Sequence, residues 1–529
     1  MELDMAKKQK IKVDLARVYD APTGGSLITT LAWGDEITVT KTTSKHVELK
    51  LQRYTEMPDG SYQPSSVLGY IRPTKSSEIK PKDTVAAPKD VPVMHVDFAD
   101  VQQGDGAVIE SPEGKVVLVD GGDNQLFARY LAARYRRSTD MKPKEIDAIV
   151  VSHGDADHFA GLTKIHASET QAKPYKRLFI HPQRIYHNGL VKRPRKKTNG
   201  TRRKEIEMLG KTRKVNGRLL AVDLETDLLT VPAAKMNEPF RQWKKALKAW
   251  RKRGPIHFRR LSRGDNDAFD FLADEDIEVE VLGPILVQAG SATGYPFLGK
   301  PKKGPRIGHE SLSLTTAEFG GNSASHSING HSIIMRLRYG NFRFMFAGDL
   351  NDQAARDLVR AHNLGDQSLR AEVFKVPHHG SADFSGAFIR AVSPVISVVS
   401  SGDESERKEY IHPRATLMGA LGKYSRVEEP LIFVTELVAF FNMEGYVTPE
   451  RHRMKDGLAV VENGEAVLDN KAKQRFFAFS RAAFGIVKFR TNGKRLLVYT
   501  NSGVARLKEA YAYHIGDDGM PIPQQVVHV

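Results

Sequence analysis

Residues 152–162 read SHGDADHFAGL. Between His153 and His158 stand two imidazoles and two carboxylates, with Asp155 and Asp157 between the histidines. Imidazole nitrogens and carboxylate oxygens crowded on one loop make a cradle for one or two divalent cations. The same residue types recur three more times. Asp120 stands in VVLVDGG, Asp349 in FMFAGD, and His378 and His379 in FKVPHHGS. One such motif is commonplace in a polar loop. Here four of them each follow an apolar run. If those runs are strands lying side by side and pointing the same way, their ends meet on one rim, and the scaffold assembles the site.

The elements that must do this positioning are legible from residue patterning. EIDAIVV (145–151) is apolar and β-branched and reads as a buried strand. Residues 93–123 read as two strands joined by a turn at 111–114, and QLFARYLAARYRR (125–137) has helical spacing. Strands are expected again within 276–284, 331–349, 371–381 and 395–403, with a Gly- and Ser-rich loop over 285–330. The segment FRQWKKALKAWRKR predicts a helix whose Trp243 and Trp250 share one face and pack on the body. A helix over 473–484 and a hairpin turning at Asn492-Gly493 are expected near the C-terminus. Residues 10–73 alternate short β-rich runs with turn signals, and 74–92 are Pro-, Lys- and Ser-rich without periodicity. The expected organisation is a small β-barrel over 1–75, a linker over 76–92, an α/β body over 93–423 with an insertion at 176–263, and a C-terminal extension over 424–529.

Composition narrows the chemistry. The 529 residues include no cysteine, which excludes disulfides, thiolate ligands and a cysteine nucleophile. No run of eighteen apolar residues stands in the chain, and its N-terminus has no apolar core of signal length, so a cytoplasmic protein is expected. The net charge of +16 is concentrated. Segment 192–214 carries +9 and segment 241–263 carries +10, so the remainder sums to −3. A near-neutral body with one basic region suits a polyanion such as nucleic acid. Candidate phosphate contacts are Lys192, Arg193, Arg195, Lys196, Lys197, Arg202, Arg203 and Lys204 in the first segment. In the second they are Lys244, Lys245, Lys248, Arg251, Lys252 and Arg253.

Two resemblances follow. The runs ARVYDAP, LAWGDEITVT and GYIRP resemble bacterial SH3-like domains. That implies a barrel that packs on its neighbour or meets a protein partner, as the C-terminal region could too. The order DGG, HxDxDH, GD, HHGS is that of the metallo-β-lactamase fold. The runs VDFADVQQGDGAVI, VVSHGDADHFAGL, VFKVPHHGS and YIHP look like the ComEC-type nuclease domain of DNA-uptake proteins, over about 93–420. The resemblance implies an αββα sandwich with two divalent metal ions, Zn or Mn, at the rim. It implies His153, Asp155, Asp157 and His158 as ligands, Asp349 as the bridging carboxylate, and His378 or His379 as the last ligand. Asp120 would orient the site through hydrogen bonds. His412, in YIHP, would meet a phosphate or protonate the leaving group, and His331 is a further candidate ligand. Asp155 replaces the histidine usual in the wider superfamily, which makes Mn more competitive with Zn. The implied activity is phosphodiester hydrolysis of DNA through a hydroxide bridging two metals, with Asp157 helping to position it. The alternatives are hydrolysis of small or cyclic nucleotides, and a non-catalytic nucleic-acid- or partner-binding protein. No membrane association is expected.

Overall fold

The computed structural model describes residues 6–57, 62–73, 78–290, 292–301, 319–402, 412–436, 485–501 and 506–529, with short strand pairs between 446 and 477. Two β-sheets face each other and are flanked by helices on both outer sides. The larger sheet has ten strands, and its centre runs Arg184–His187, Ala148–Val150, Val116–Asp120, Gly106–Glu110 and Met94–Phe98. The smaller has six, among them Ile334–Tyr339, Phe342–Phe346, Val373–Lys375 and Ile396–Val399. These strands read as unbroken apolar runs because both faces are covered. Between the sheets lies one core, in which Phe98, Val119 and Val150 meet Met335, Phe344 and Val373.

Helices cover the outer faces. Leu126–Arg134, Ala156–Ser168 and Glu238–Trp250 pack on the larger sheet through Leu131, Phe159, Leu162, Trp243 and Trp250. The tryptophans lie inward, as their spacing predicts, and Trp243 sits among the core aromatics beside Phe159. Asp352–Asn363, Gly386–Val392 and Ala415–Tyr424 cover the smaller sheet. Among the described residues, no helix is long and apolar enough to cross a membrane.

Strand direction decides where the loops converge. Val116–Asp120 runs parallel to Ala148–Val150, and Phe342–Phe346, Val373–Lys375 and Ile396–Val399 run parallel to one another. Residues 120–123, 151–158, 347–351 and 376–381 therefore leave their strands at carboxyl ends.

Several elements differ from expectation. The hairpin of Val487–Thr491 and Arg495–Asn501 does not stand apart: Val487–Thr491 pairs with Met94–Phe98 and carries the larger sheet onward through Lys508–Ile515 and Pro521–Gln524. Its turn is longer than two residues, since Thr491 pairs with Leu496. Leu431–Val434 likewise joins the smaller sheet beside Ile396–Val399. Of the helix expected over 473–484, residues 476–477 are paired as strand with 446–447, and the rest lies outside the described residues. The stretch 76–92 is not wholly linker, because Val85–Ala86 pairs with Lys7–Ile11 and buries Val85. Residues 285–330 are not a plain loop. Val287–Ala289 and Ala292–Pro296 form a small sheet with the hairpin Thr212–Val215 and Arg218–Ala221, and Ala324–Gly330 is helical. These pairings enclose a small core of their own, in which Ala221, Tyr295, Phe297 and Ile328 are buried.

Residues 7–86 form a separate seven-stranded antiparallel sheet around Ile11, Val18, Val39, Leu49 and Ile71. The last residue, Val529, packs into that core, and its backbone bonds both ways with strand Leu15–Tyr19. The small sheet is thus tied to the body by the far end of the chain.

Candidate metal centre

The helix Ala156–Ser168 begins at the rim, and its packing sets the ligand loop. A Cβ on Gly161 would lie 1.9 Å from the Gly121 carbonyl oxygen, so only glycine lets this helix approach the 120–122 loop. Asp157 stands in the first turn, where a carboxylate is favoured by the helix dipole. His158 follows, fully buried, with Nδ1 2.8 Å from Asp120 Oδ2. Asp120 also accepts from Ser152 N at 2.7 Å and Ser152 Oγ at 2.6 Å. The carboxylate therefore fixes the imidazole from behind, as the resemblance implies, and aims Nε2 inward.

Asp349 lies at the centre. Its Oδ1 is 3.1 Å from His158 Nε2 and 3.4 Å from His379 Nε2. Its Oδ2 is 3.8 Å from His153 Nε2 and 3.8 Å from His378 Nε2. One carboxylate thus turns an oxygen toward each of two imidazole pairs. Asp157 Oδ2 adjoins the first pair, 3.6 Å from His379 Nε2, and takes a hydrogen bond from Gln103 Nε2 at 3.2 Å. Asn329 Nδ2 donates to Asp349 Oδ2 at 3.3 Å.

Backbone conformation aims the histidine pair. His378 and His379 both have left-handed φ, +52° and +53°, and Gly380 follows at +82°. For residues other than glycine this conformation costs on the order of 1–3 kcal/mol each. The turn sends the two imidazoles to the two oxygens of one carboxylate.

Charges at the centre are displaced from their ordinary behaviour. Burial alone would lower His158 and His379, but the carboxylate of Asp349 raises both well above the usual imidazole range. Asp349 is held well below the carboxylate range: burial opposes this, and His379, His158 and His378 overcome it. His153 is pushed down to about 4 by burial and by His158.

The donor set fits a metal. Among the described residues, the buried atoms His153 Nε2, His158 Nε2, His379 Nε2 and Asp349 Oδ1 find no hydrogen-bond partner. Asp105, His158, Asp349 and His379 bring ligand atoms within 4.8 Å of one another. Unpaired donors of this kind, all aimed at one carboxylate, are costly unless a cation completes them.

The remaining expected site residues divide. Asp155 faces Lys192, whose Nζ is 2.6 Å from its Oδ1, and so does not turn to Asp349. His412 is half-buried, and its imidazole is pushed down to about 4 by burial and by the charges of His379 and His378. His331 does not join the centre: its Nε2 bonds the Pro296 carbonyl at 2.7 Å and its ring stacks on Tyr295. The adjacent helix Ala324–Gly330 directs Asn329 inward instead. Asp105, in QGDG, carried no signal beyond its motif.

The basic candidates also divide. Arg193 is buried against Asp223, Lys197 pairs with Glu207, and Arg253 bridges Asp140 and Glu169. Lys244 bonds the Val231 carbonyl and Arg251 that of Ile256. Most of these contacts stay within the insertion, and Arg253 ties it to the body. Arg195, Lys196, Arg202 and Lys204 are exposed on the first segment, and Arg203 is half-buried. Lys245, Lys248 and Lys252 are exposed on the outer stripe of the Glu238–Trp250 helix and its end.

Residues 99–198 match the family model of the Metallo-beta-lactamase superfamily, a span containing Asp120 and the 153–158 loop; Asp349 and the histidine pair lie beyond it. No curated protein matches the chain. With the buried His/Asp cluster, the match marks a domain similar to that superfamily, whose members are mostly metal-dependent hydrolases.

Proposed function

We propose that the protein is a metal-dependent phosphodiester hydrolase acting as a nuclease on DNA. The observation that carries this reading is Asp349, one buried carboxylate with an oxygen toward each of two imidazole pairs. His158, His379 and Asp157 would hold one cation, His153 and His378 another, with Asp349 shared and Asp155 recruited from Lys192. Divalent cations held there would supply Lewis acidity toward a phosphoryl oxygen and acidify water near neutral pH.

The chain's own groups do the rest. Asp120 keeps the His158 ring oriented through Nδ1. Gln103 holds Asp157 through Oδ2. Lys192, at the rim, is placed to meet a phosphate once Asp155 turns inward. His412, whose imidazole feels the charge of the histidine pair, would hydrogen-bond the leaving oxygen. The exposed lysines and arginines of the insertion would hold flanking phosphates without reading sequence.

Hydrolysis of small nucleotides is the second reading. It is favoured by the ion pairs that occupy Arg193, Lys197 and Arg253. The test is cleavage of linear and circular, single- and double-stranded DNA and of RNA with Mn2+, Zn2+, Mg2+ or EDTA, beside Asp349→Asn. Metal-dependent cutting absent from the variant supports the nuclease. A metal-loaded protein that cuts no polymer but hydrolyses small nucleotides supports the second reading.

A further inference from the structure

The centre holds a carboxylate that the ligand motifs leave without a role. Asp105 lies between strands Met94–Phe98 and Gly106–Glu110 and is 5% exposed. Its Oδ1 is 3.2 Å from His379 Nδ1, and its Oδ2 is 2.7 Å from Lys375 Nζ. Its Oδ2 is also 4.0 Å from His158 Nδ1. Asp105 therefore stands on the Nδ1 side of both inner imidazoles, whereas Asp349 stands on the Nε2 side of both. An imidazole presents its two nitrogens to opposite sides. A carboxylate beside Nδ1 is placed to orient the ring, not to share a cation with Nε2.

The same arrangement already serves His158, whose Nδ1 meets Asp120 at 2.8 Å. His379 Nδ1 hydrogen-bonds the Ser400 carbonyl at 3.1 Å, and Asp105 Oδ1 lies beside it at 3.2 Å as a counter-charge. Lys375 completes the group. Lys375 is 3% exposed, and its ammonium also donates to the Val376 carbonyl at 2.6 Å. Such a buried ammonium beside a metal-binding site needs a counter-charge, and Asp105 supplies it.

Resting on the metal-centre reading above, we propose that Asp105 is the positioning carboxylate of His379, with Lys375 as its counter-charge, and is not itself a metal ligand. Its charge, beside the Ser400 carbonyl that meets Nδ1, favours the hydrogen of His379 on Nδ1 and leaves Nε2 as the ligand atom. The ring is then held from behind although its backbone is in a left-handed turn. Asp120 and Asp105 thereby form a matched pair, one behind each inner histidine.

The test is Zn2+ titration by calorimetry on the EDTA-stripped full chain, with metal content measured after dialysis, for the parent, Asp105→Asn and Asp105→Ala. If the parent binds no Zn2+, the metal-centre reading itself fails. If the parent binds, the expected result is an unchanged number of Zn2+ per chain. Affinity would fall on the order of 10- to 100-fold, less for Asn, which keeps an acceptor oxygen, than for Ala. One fewer Zn2+ per chain, or unchanged affinity in a folded variant, overturns the proposal. Histidine-selective 15N spectra of the Zn2+-loaded parent decide the matter even if a variant does not fold. The His379 resonances, assigned through His379→Gln, should show hydrogen on Nδ1, and hydrogen on Nε2 overturns it.

Discussion

Lys245, Lys248 and Lys252 make the sharpest test of a polymeric substrate. They lie on the exposed side of the Glu238–Trp250 helix and its end, opposite Phe240, Trp243, Leu247 and Trp250. Seven residues of helix rise about 10 Å, and one DNA strand carries a phosphate about every 3.4 Å, so the stripe spans roughly three phosphates. Each duplex phosphate neutralised contributes about 0.9 to the slope of log affinity against log salt. Replacing all three lysines by alanine should flatten that slope by up to about 2.7. Between 50 and 200 mM salt this accounts for a roughly 40-fold difference in the salt sensitivity of binding. The assay is fluorescence anisotropy of a labelled duplex on the EDTA-treated protein across a salt series. The side chains point outward, so thermal stability should stay near that of the parent. A small-nucleotide hydrolysis rate should also be unchanged. A slope identical in parent and triple variant would refute the assignment of this helix to the nucleic-acid path.

Three other perturbations have defined outcomes. Asp120→Asn should weaken metal binding by about 10- to 100-fold while the protein stays folded, read by competition with a chromogenic chelator, because His158 loses its orienting charge. His187, buried with Nε2 on the Thr226 carbonyl and Nδ1 accepting from Gly189 N, is pushed down to about 4 by burial. Its unfolded form binds a proton near pH 6.5 and its folded form does not, so its stabilising contribution is complete above pH 6.5. That contribution falls as the solution is acidified toward pH 4, by about 2 kcal/mol at pH 5. Urea unfolding of His187→Gln against the parent should show the shallower pH dependence in the variant. Asp97→Ala removes the nearer carboxylate of the buried Arg490, 2.8 Å away across the pairing that joins the C-terminal hairpin to the body, and also a partner of Arg134. It should cost roughly 3–5 kcal/mol in denaturant unfolding, because two guanidiniums lose the carboxylate they share in the core and Arg490 keeps only Asp35 at 3.7 Å.

The residues of the centre were legible from local sequence to the extent that strand ends advertise them. His153, Asp157, His158, Asp349 and the histidine pair each follow an apolar run, and parallel strand order brings those run ends together. The tryptophan stripe was legible for the same reason, since helical periodicity states which side is buried. Asp105 was not legible, because its meaning depends on His379 and Lys375, each roughly half the chain away. His331 resembled a ligand by type and position, yet the short helix before it turns Asn329 inward and leaves His331 to Pro296.

Charge shows the same division. Sequence located the basic region, because composition is additive along a chain. It did not separate Lys245, which faces outward, from Arg253, which bridges Asp140 and Glu169, because ion pairing is a property of distance in space. The C-terminal strands make the point for the fold. Their alternation announces β structure, but an edge strand accepts any partner of matching twist and register. Only the assembled core, with Phe489 between Phe98 and Phe344, selects Met94–Phe98 as the neighbour of Val487–Thr491. Residue types and their local spacing therefore determined the chemistry available to this protein. Tertiary structure decided which groups share it, because ligand geometry, counter-charges and sheet partners are set by contacts between residues far apart in the chain.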